Sequence, residues 1–292
     1  MAIEERDAHT GYLTTGHEWN GIKELNTPVP RAVYFFLAVT VLFSIAYWIL
    51  MPAWPTGLSF TRGVLGIDQR DTVAQSLRQA EADRSQWTKR IAAESYATIQ
   101  ADPALMKIVR DSGRALFGDN CAACHGADAR GGKGYPNLIA ASLMWGGSAE
   151  AIADTIRIGV NSAHKDSRVS QMLAFGRMQT ISRDEALNVV AYVRSLSNPN
   201  ADGASKEALA AGKGVFEKNC VSCHGAEGKG NADVGGPDLT DNVWIYGGDA
   251  ASIYDTVWNG RQGRMPTWEN RLSDVDRKIL ALYLVDLRAT RP

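Results

Sequence analysis

Cysteine, histidine and clustered positive charge are all scarce in this chain. Its 292 residues include only four cysteines and five histidines. So few histidines limit how much metal chemistry the side chains alone can support. Lysine and arginine nearly balance aspartate and glutamate, which leaves a formal net charge of −1. No block of basic residues occurs, so the chain lacks the charge pattern that nucleic-acid binding requires.

Glycine and proline are absent from residues 68–102, and the composition there is rich in Ala, Arg, Gln and Glu. Apolar side chains recur in this stretch at helical spacing, which predicts a surface-lying helix that connects two parts of the chain. They are Val73, Leu77, Ala80, Trp87 and Ile91. We expect a spacer, although the same surface could dock a partner.

Charge is also absent from Ala32 to Met51, a run of about 20 residues that matches the hydrocarbon thickness of a bilayer. A cleaved signal peptide fits less well, because the run begins late, is long, and lacks a small-X-small cleavage site after it. The run therefore predicts a retained membrane helix. More basic residues precede it than closely follow it, which favours a cytoplasmic N-terminus.

All four cysteines lie in two copies of Cys-X-X-Cys-His. One copy is Cys121, Cys124 and His125, and the other is Cys220, Cys223 and His224. This spacing is typical of c-type haem attachment, with the histidine as first axial ligand of the iron. The alternatives are one shared zinc, redox dithiols or two disulfides. None of them needs a histidine directly after each second cysteine, so we predict two covalently bound haem c groups.

The two motifs belong to an internal repeat. Each copy has a helix with Gly-X-X-X-Phe-X-X-X-Cys, a Gly-rich loop, a Pro-X-Leu, a Trp near Gly-Gly, and a capped last helix. We expect the first and last helices of each copy to cross at Gly113 and at Gly212. Small helical units of this kind resemble class I cytochrome c domains. The expected fold is mainly α, with one N-terminal transmembrane helix followed by two tandem class I cytochrome c domains. The expected segments are an arm (1–30), a membrane helix (31–52), a helical connector (53–102), domain 1 (103–197), a linker (198–206) and domain 2 (207–292).

A methionine opposite each histidine would complete the coordination of iron and raise its potential. In the second repeat Met265 is the only methionine. In the first we favour Met172, with Met178 in reserve and Met144 as a core residue. His164 has charged neighbours, and we expect it to face solvent. Saturated iron has no place for a substrate, so electron transfer is the expected chemistry.

The stretch from Trp19 to Arg31, which reads Trp-Asn-Gly-Ile-Lys-Glu-Leu-Asn-Thr-Pro-Val-Pro-Arg, resembles the dihaem subunit III (FixP/CcoP type) of cbb3-type cytochrome c oxidases. The stretches 63–66, 135–138, 235–239 and 265–266 and both haem motifs fit the same family. The resemblance implies a non-catalytic electron-transfer subunit of a proton-translocating terminal oxidase. It also leaves open whether Met172 and Met265 ligate the haem of their own repeat or are exchanged.

The resemblance implies further that the chain accepts electrons from a bc1 complex or a soluble cytochrome c. Electrons would leave towards the haem–copper subunit and a monohaem cytochrome subunit of the oxidase. The location would be the bacterial inner membrane, with the haem domains in the periplasm. One alternative is an anchored dihaem carrier that serves another dehydrogenase or reductase. Another is a haem-based sensor or scaffold, which would need an open iron position.

Overall fold

The N-terminal arm contains a β-hairpin. In the computed structural model, which describes residues 5–198 and 203–290, β1 (Thr14–Trp19) pairs with β2 (Ile22–Leu25) in antiparallel orientation. Asn20 and Gly21 connect the strands with φ of +50° and +85°. Two successive left-handed residues make the turn that suits the twist of a hairpin, and Asn-Gly adopts it readily. These strands were not predicted from the sequence, although this dipeptide was the signal for them.

The uncharged run forms α1 (Arg31–Leu50), and none of its side chains is buried within the protein. At 20 residues it is about 30 Å long, and it is the one helix in the described part of the chain that is long and apolar enough to cross a membrane. The chain then folds back, and the amides of Val64 and Leu65 donate to the carbonyls of Ile49 and Leu50. These bonds satisfy carbonyls at the end of the helix that would otherwise lack partners.

The connector is two helices, where the sequence predicted a single one. α2 (Gln69–Ala93) ends before Ser95, and α3 (Tyr96–Ala101) begins after it. The Ser95 hydroxyl accepts from the Thr98 amide at 3.1 Å. A serine in this position favours a new helix start over continuation of the old one, so the absence of Gly and Pro was not enough to keep the helix unbroken.

Two compact units divide the chain, one reaching to Asp83 and the other starting at Arg84. The second unit contains both Cys-X-X-Cys-His motifs. Its helices after α3 are α4 (Pro103–Asn120), α5 (Ala122–His125), α6 (Ala149–Ile158), α7 (Arg183–Ser197), α8 (Lys206–Asn219), α9 (Val221–His224), α10 (Ala250–Asn259) and α11 (Asp274–Thr290). Side chains of Asp or Ser cap the starts of six of them, and the predicted capping box of Ser182 and Glu185 is confirmed.

The last helices of the two repeats are exchanged. α11 packs against α4 and α6 of the first repeat, whereas α7 packs against α8 and α10 of the second. Gly113 of α4 faces Tyr283 of α11, and Gly212 of α8 faces Asn188 and Tyr192 of α7. Crossing at the two glycines is thus confirmed, but the predicted partners were wrong. Both repeats have a glycine at this crossing, so the glycine alone does not specify which last helix packs against it.

Each exchanged set of helices has its own apolar core. The first core includes Phe117 of α4 together with Ile279 and Leu280 of α11, and residues from α2 and α3 also pack into it. The second includes Val189 of α7, Phe216 of α8 and Ile253 of α10. Each of the two cores is therefore built from both repeats, and the exchange determines which side chains surround each haem motif.

Candidate functional site

Each haem motif is a single helical turn that follows a longer helix. The Cys121 amide donates to the Phe117 carbonyl and the Cys220 amide to the Phe216 carbonyl, both at 2.8 Å. The chain then continues as α5 or α9. Within such a turn, the two cysteines and the histidine are three and four residues apart and so lie on the same side. The spacing thus directs all three reactive side chains of a motif towards one group.

The histidines of the motifs are held with one ring nitrogen free. Nδ1 of His125 lies 3.1 Å from the Pro136 carbonyl oxygen, and Nδ1 of His224 lies 3.1 Å from that of Pro237. A carbonyl oxygen can only accept, so each Nδ1 carries the proton and each Nε2 has a lone pair. Burial lowers the pKa of both rings, which keeps them neutral. This is the tautomer and charge that an iron ligand needs.

The first cysteine of each motif is poorly suited to chemistry as a free thiolate. Burial raises the pKa of Cys121 and of Cys220 to about 11, whereas redox dithiols have lowered thiol pKa values. The four cysteines, all within the described residues, form no disulfide. Across the described part of the chain, no three His, Cys, Asp or Glu side chains converge as a zinc site requires. These alternatives to haem attachment therefore have no structural support.

The methionine loops, defined as residues 168–172 and 261–265, run side by side. Met172 exchanges two backbone hydrogen bonds with Arg261, at 2.8 and 3.0 Å. Met265 does the same with Val160, at 3.0 and 2.9 Å. Met265 and Cys121 both pack against the first core, and Met172 and Cys220 both pack against the second. Each methionine therefore lies with the haem motif of the other repeat.

Two glycines permit this close approach. Gly159 and Gly260 end α6 and α10, and both have φ of +72°. A Cβ on Gly159 would lie 2.5 Å from the Met265 carbonyl oxygen, and one on Gly260 would lie 2.6 Å from that of Met172. Any side chain here would push the methionine loop of the opposite repeat away. The glycine that ends each helix thus fixes where the opposite methionine loop lies.

The other candidates from the sequence lie elsewhere. Met178 is 61% exposed, and Met144 is half-buried. The prediction that His164 faces solvent was wrong: its side chain is 9% exposed, and its Nε2 lies 2.9 Å from a Glu269 carboxylate oxygen. Glu269 belongs to the segment that follows Met265, so the exchange supplied a partner that the sequence neighbours of His164 did not reveal.

Two arginines of the site were missed. Arg168 and Arg261 each lie four residues before a methionine, and each donates to a threonine hydroxyl and an aspartate on the helix before it, α6 or α10. Each guanidinium also lies over an aromatic ring, Trp145 for Arg168 and Tyr246 for Arg261. The repeated Arg-X-X-X-Met was a sequence signal for them. Tyr246 thus occupies the place in the second repeat that Trp145 occupies in the first.

A haem fits these surroundings. Among the described residues, the buried Nε1 of Trp145 is one of two buried side-chain polar atoms without a hydrogen-bond partner. A buried N–H without an acceptor is costly, and a haem propionate is an acceptor of the right kind. Trp268 belongs to the first core, against which Met265 packs, and Trp244 packs against the second core. The residues that would hold each haem are two thiols, a neutral imidazole, a thioether and apolar walls.

Comparison with known proteins agrees with this geometry. The model of the N-terminal domain of cytochrome oxidase-cbb3, FixP, matches residues 11–57. The cytochrome c model matches residues 111–197, and the model of cbb3-type cytochrome c oxidase subunit III matches residues 207–284. The cbb3-type cytochrome c oxidase subunit FixP of Bradyrhizobium sp. (strain ORS 278) is 46% identical over 284 residues, which cover 97% of each chain. The chain belongs to the FixP/CcoP family.

Other members of the FixP/CcoP family are similar along almost their whole length. The subunit CcoP of Azospirillum brasilense is 40% identical over 294 residues, covering 98% of this chain and 99% of its own. That of Cereibacter sphaeroides is 37% identical over 272 residues, covering 93% of each. The expected fold class is confirmed, as are the two covalent haem c groups and the role of non-catalytic electron-transfer subunit of a cbb3-type oxidase. The chain therefore belongs to a membrane complex with other oxidase subunits.

Proposed function

We propose that the axial ligands of the two irons are exchanged between the repeats. In this proposal Cys121 and Cys124 attach the first haem, which His125 and Met265 ligate. Cys220 and Cys223 attach the second, which His224 and Met172 ligate. The observation that supports it is that Met265 packs against the same core as Cys121, and Met172 against the same core as Cys220.

A covalent haem with these ligands supplies a one-electron iron couple. The chain holds Nε2 of each histidine free through the hydrogen bond at Nδ1, and its apolar cores keep water away from the iron. A thioether opposite an imidazole favours the reduced iron and so raises the potential. With both axial positions occupied, no substrate can bind to the iron, and the site is suited to electron transfer alone.

Within the oxidase, we propose that electrons reach this chain from a bc1 complex or a soluble cytochrome c. They would leave it for the monohaem cytochrome subunit and the haem–copper subunit. The segments proposed are those of the sequence analysis, with residues 1–30 in the cytoplasm, 31–52 in the bacterial inner membrane and 53–292 in the periplasm. Helix α1 carries no charge after Arg31 and buries none of its side chains, which supports the membrane assignment.

The exchange of ligands can be tested in variants in which only one of the two motifs can attach haem. In a Cys220→Ala, Cys223→Ala background only the first motif can attach haem. Exchange requires that Met265→Ala then abolish the red charge-transfer band of methionine-ligated ferric haem, and that Met172→Ala preserve it. The opposite result would mean that each methionine ligates the haem of its own repeat. The reciprocal background, Cys121→Ala, Cys124→Ala, repeats the test on the second haem.

Location and partners are tested on native membranes. Protease added to spheroplasts should digest the haem domains if they are periplasmic and spare them if they are cytoplasmic. Isolation through a tag on this chain should also recover b-type haem, copper and oxygen uptake with a cytochrome c donor. Recovery of c-type haem alone would contradict the proposed path of electrons into the haem–copper subunit.

A further inference from the structure

The side-chain amide of Asn161 is hydrogen-bonded to both methionine loops. Its Nδ2 donates to the carbonyls of Ser170 and Gly263, each at 2.7 Å. Its Oδ1 accepts from the Ser170 amide at 3.2 Å. Ser170 and Gly263 each lie two residues before a methionine, Met172 and Met265. One side chain thus bonds to equivalent positions in two loops that are far apart in sequence.

The amide group is well matched to this position. A primary amide has two N–H donors and one acceptor oxygen, and here both donors and the oxygen are used. A carboxylate of the same shape could not donate to two carbonyls, and an apolar side chain could not bond to either loop. Of the uncharged side chains as short as asparagine, none other offers two donors and an acceptor in one plane.

The backbone of Asn161 also fits its role. Its φ is +48°, a left-handed conformation that asparagine tolerates better than most residues. It follows Gly159 and Val160, which contact the loop of Met265 directly. Its own amide donates to the Arg168 carbonyl at 2.7 Å, at the start of the other loop. The turn therefore brings the side chain between the two loops with the correct orientation.

The bridge that the Asn161 amide makes between the two loops occurs once, although the two repeats are similar in sequence. Gln262 lies two residues after Gly260, as Asn161 lies two residues after Gly159, but its side chain is exposed. Both methionine loops therefore depend on one amide from the first repeat. The loss of that amide should loosen the two loops together.

We propose that Asn161 is a positioning residue that holds Met172 and Met265 over their irons through one side chain. The proposal rests on the exchanged methionine ligation proposed above. Asn161 does not touch the iron; it acts through the two loops. Its removal should therefore weaken both methionine–iron bonds, even though it lies in only one repeat.

The test compares wild-type protein with Asn161→Gly in the full-length, haem-loaded chain. Glycine keeps the left-handed backbone and removes the amide, so a change reports the side chain. We expect both haems to shift to lower potential in a redox titration, because a weaker thioether bond favours the reduced iron less. We also expect cyanide to bind both ferric haems about tenfold more tightly, which is a change of about 1.4 kcal/mol.

Two further variants keep the test decisive. Asn161→Asp retains the acceptor for the Ser170 amide but loses both donors, so it should move both haems in the same direction. Asn20→Gly is the matched control, since Asn20 is also left-handed but lies in the N-terminal hairpin, and it should change neither haem. A shift at one haem only, or at neither, in both Asn161 variants overturns the proposal. The one-haem backgrounds described above separately decide the exchange: if Met265→Ala leaves the charge-transfer band of the first haem intact, the ligand assignment fails, whatever the Asn161 variants show.

Discussion

At the scale of single residues, Gly159 and Gly260 most strongly restrict where the methionine loops lie. Each combines a left-handed backbone with a carbonyl of the opposite methionine loop directly beside it. A side chain is thus disfavoured twice, once by the backbone conformation and once by the contact. These glycines link the local end of a helix to the position of a methionine from the other repeat.

Gly159→Ala should destabilise the protein by about 1–2 kcal/mol from the backbone conformation alone, and more through displacement of Met265. The measurements are urea unfolding followed by haem absorbance, and the affinity of ferric haem for cyanide. The control is Gly214→Ala, because a Cβ on Gly214 of α8 meets no atom within 4 Å. That variant should be neutral or slightly stabilising. Equal losses in both variants would contradict the contact with Met265.

The Glu269 carboxylate should make the stability of the protein depend on pH. Hydrogen bonds from Arg157 and His164 lower the pKa of Glu269 below its usual 4.5. The folded state thus binds fewer protons here than the unfolded state does, so the stabilisation is complete above pH 4.5 and is lost as the pH falls through the lowered pKa. Glu269→Gln should have a lower free energy of unfolding than wild type at neutral pH. The two free energies should become equal in acid. The measurement is urea unfolding at several pH values.

The control for the acid experiment is the exposed Glu227→Gln, whose unfolding curves should follow those of wild type. If the free energy of unfolding of Glu269→Gln differed from that of wild type by the same amount at every pH, the difference would not arise from ionisation of this carboxylate. A change in packing would then be the better explanation.

At the scale of helices, the exchange depends on how the end of α11 is held. Arg288 donates to the carbonyls of Ala140, Ala141 and Gly147, at 3.1, 2.9 and 2.9 Å. Those carbonyls belong to the first repeat, between its haem motif and α6. One arginine near the end of the chain therefore fastens the last helix to the first haem site.

Arg288→Ala should cost about 2 kcal/mol or more, since hydrogen bonds from a charged donor contribute about 1.5–3 kcal/mol each and a half-exposed group realises less than their sum. The potential of the first haem should shift, and that of the second should not. A redox titration measures the two potentials, and unfolding followed by the absorbance of each haem measures the loss of stability. Arg114→Ala, an exposed arginine on α4, is the matched control. A change at the second haem instead would mean that α11 completes its own repeat.

The haem motifs and the start of α7 were predictable because their signals are local. Cys-X-X-Cys-His fixes its own geometry within one turn, and Ser182 with Glu185 caps α7 within three residues. The exchange was not predictable, because the repeat makes the two last helices interchangeable as partners for Gly113 and Gly212. Both choices bury similar apolar faces, and only non-local contacts such as those of Arg288 distinguish them. The position of His164 was missed for the same reason.

At the scale of the whole molecule, the exchange makes the two haem domains one body. Each core contains helices that precede residues 199–202 and helices that follow them. The packing of these helices, and not the covalent connection at 199–202, therefore holds the two parts of the chain together. A protease site inserted at residues 199–202 should allow complete cleavage without separation. The two haem-bearing fragments should elute together in size-exclusion chromatography in detergent, and separate only after denaturation. Tandem domains without exchange would separate on cleavage under native conditions.

The contact between α4 and α11 has a consequence for biosynthesis. Arg110 and Asp286 form an ion pair across this contact although they are 176 residues apart in sequence. Contacts of such long range form late in folding. A chain that emerges with its N-terminus first therefore presents Cys121 and Cys124 long before the helix that closes their pocket exists. During that interval the first site stays open to the machinery that attaches haem, and the end of the chain completes it only afterwards.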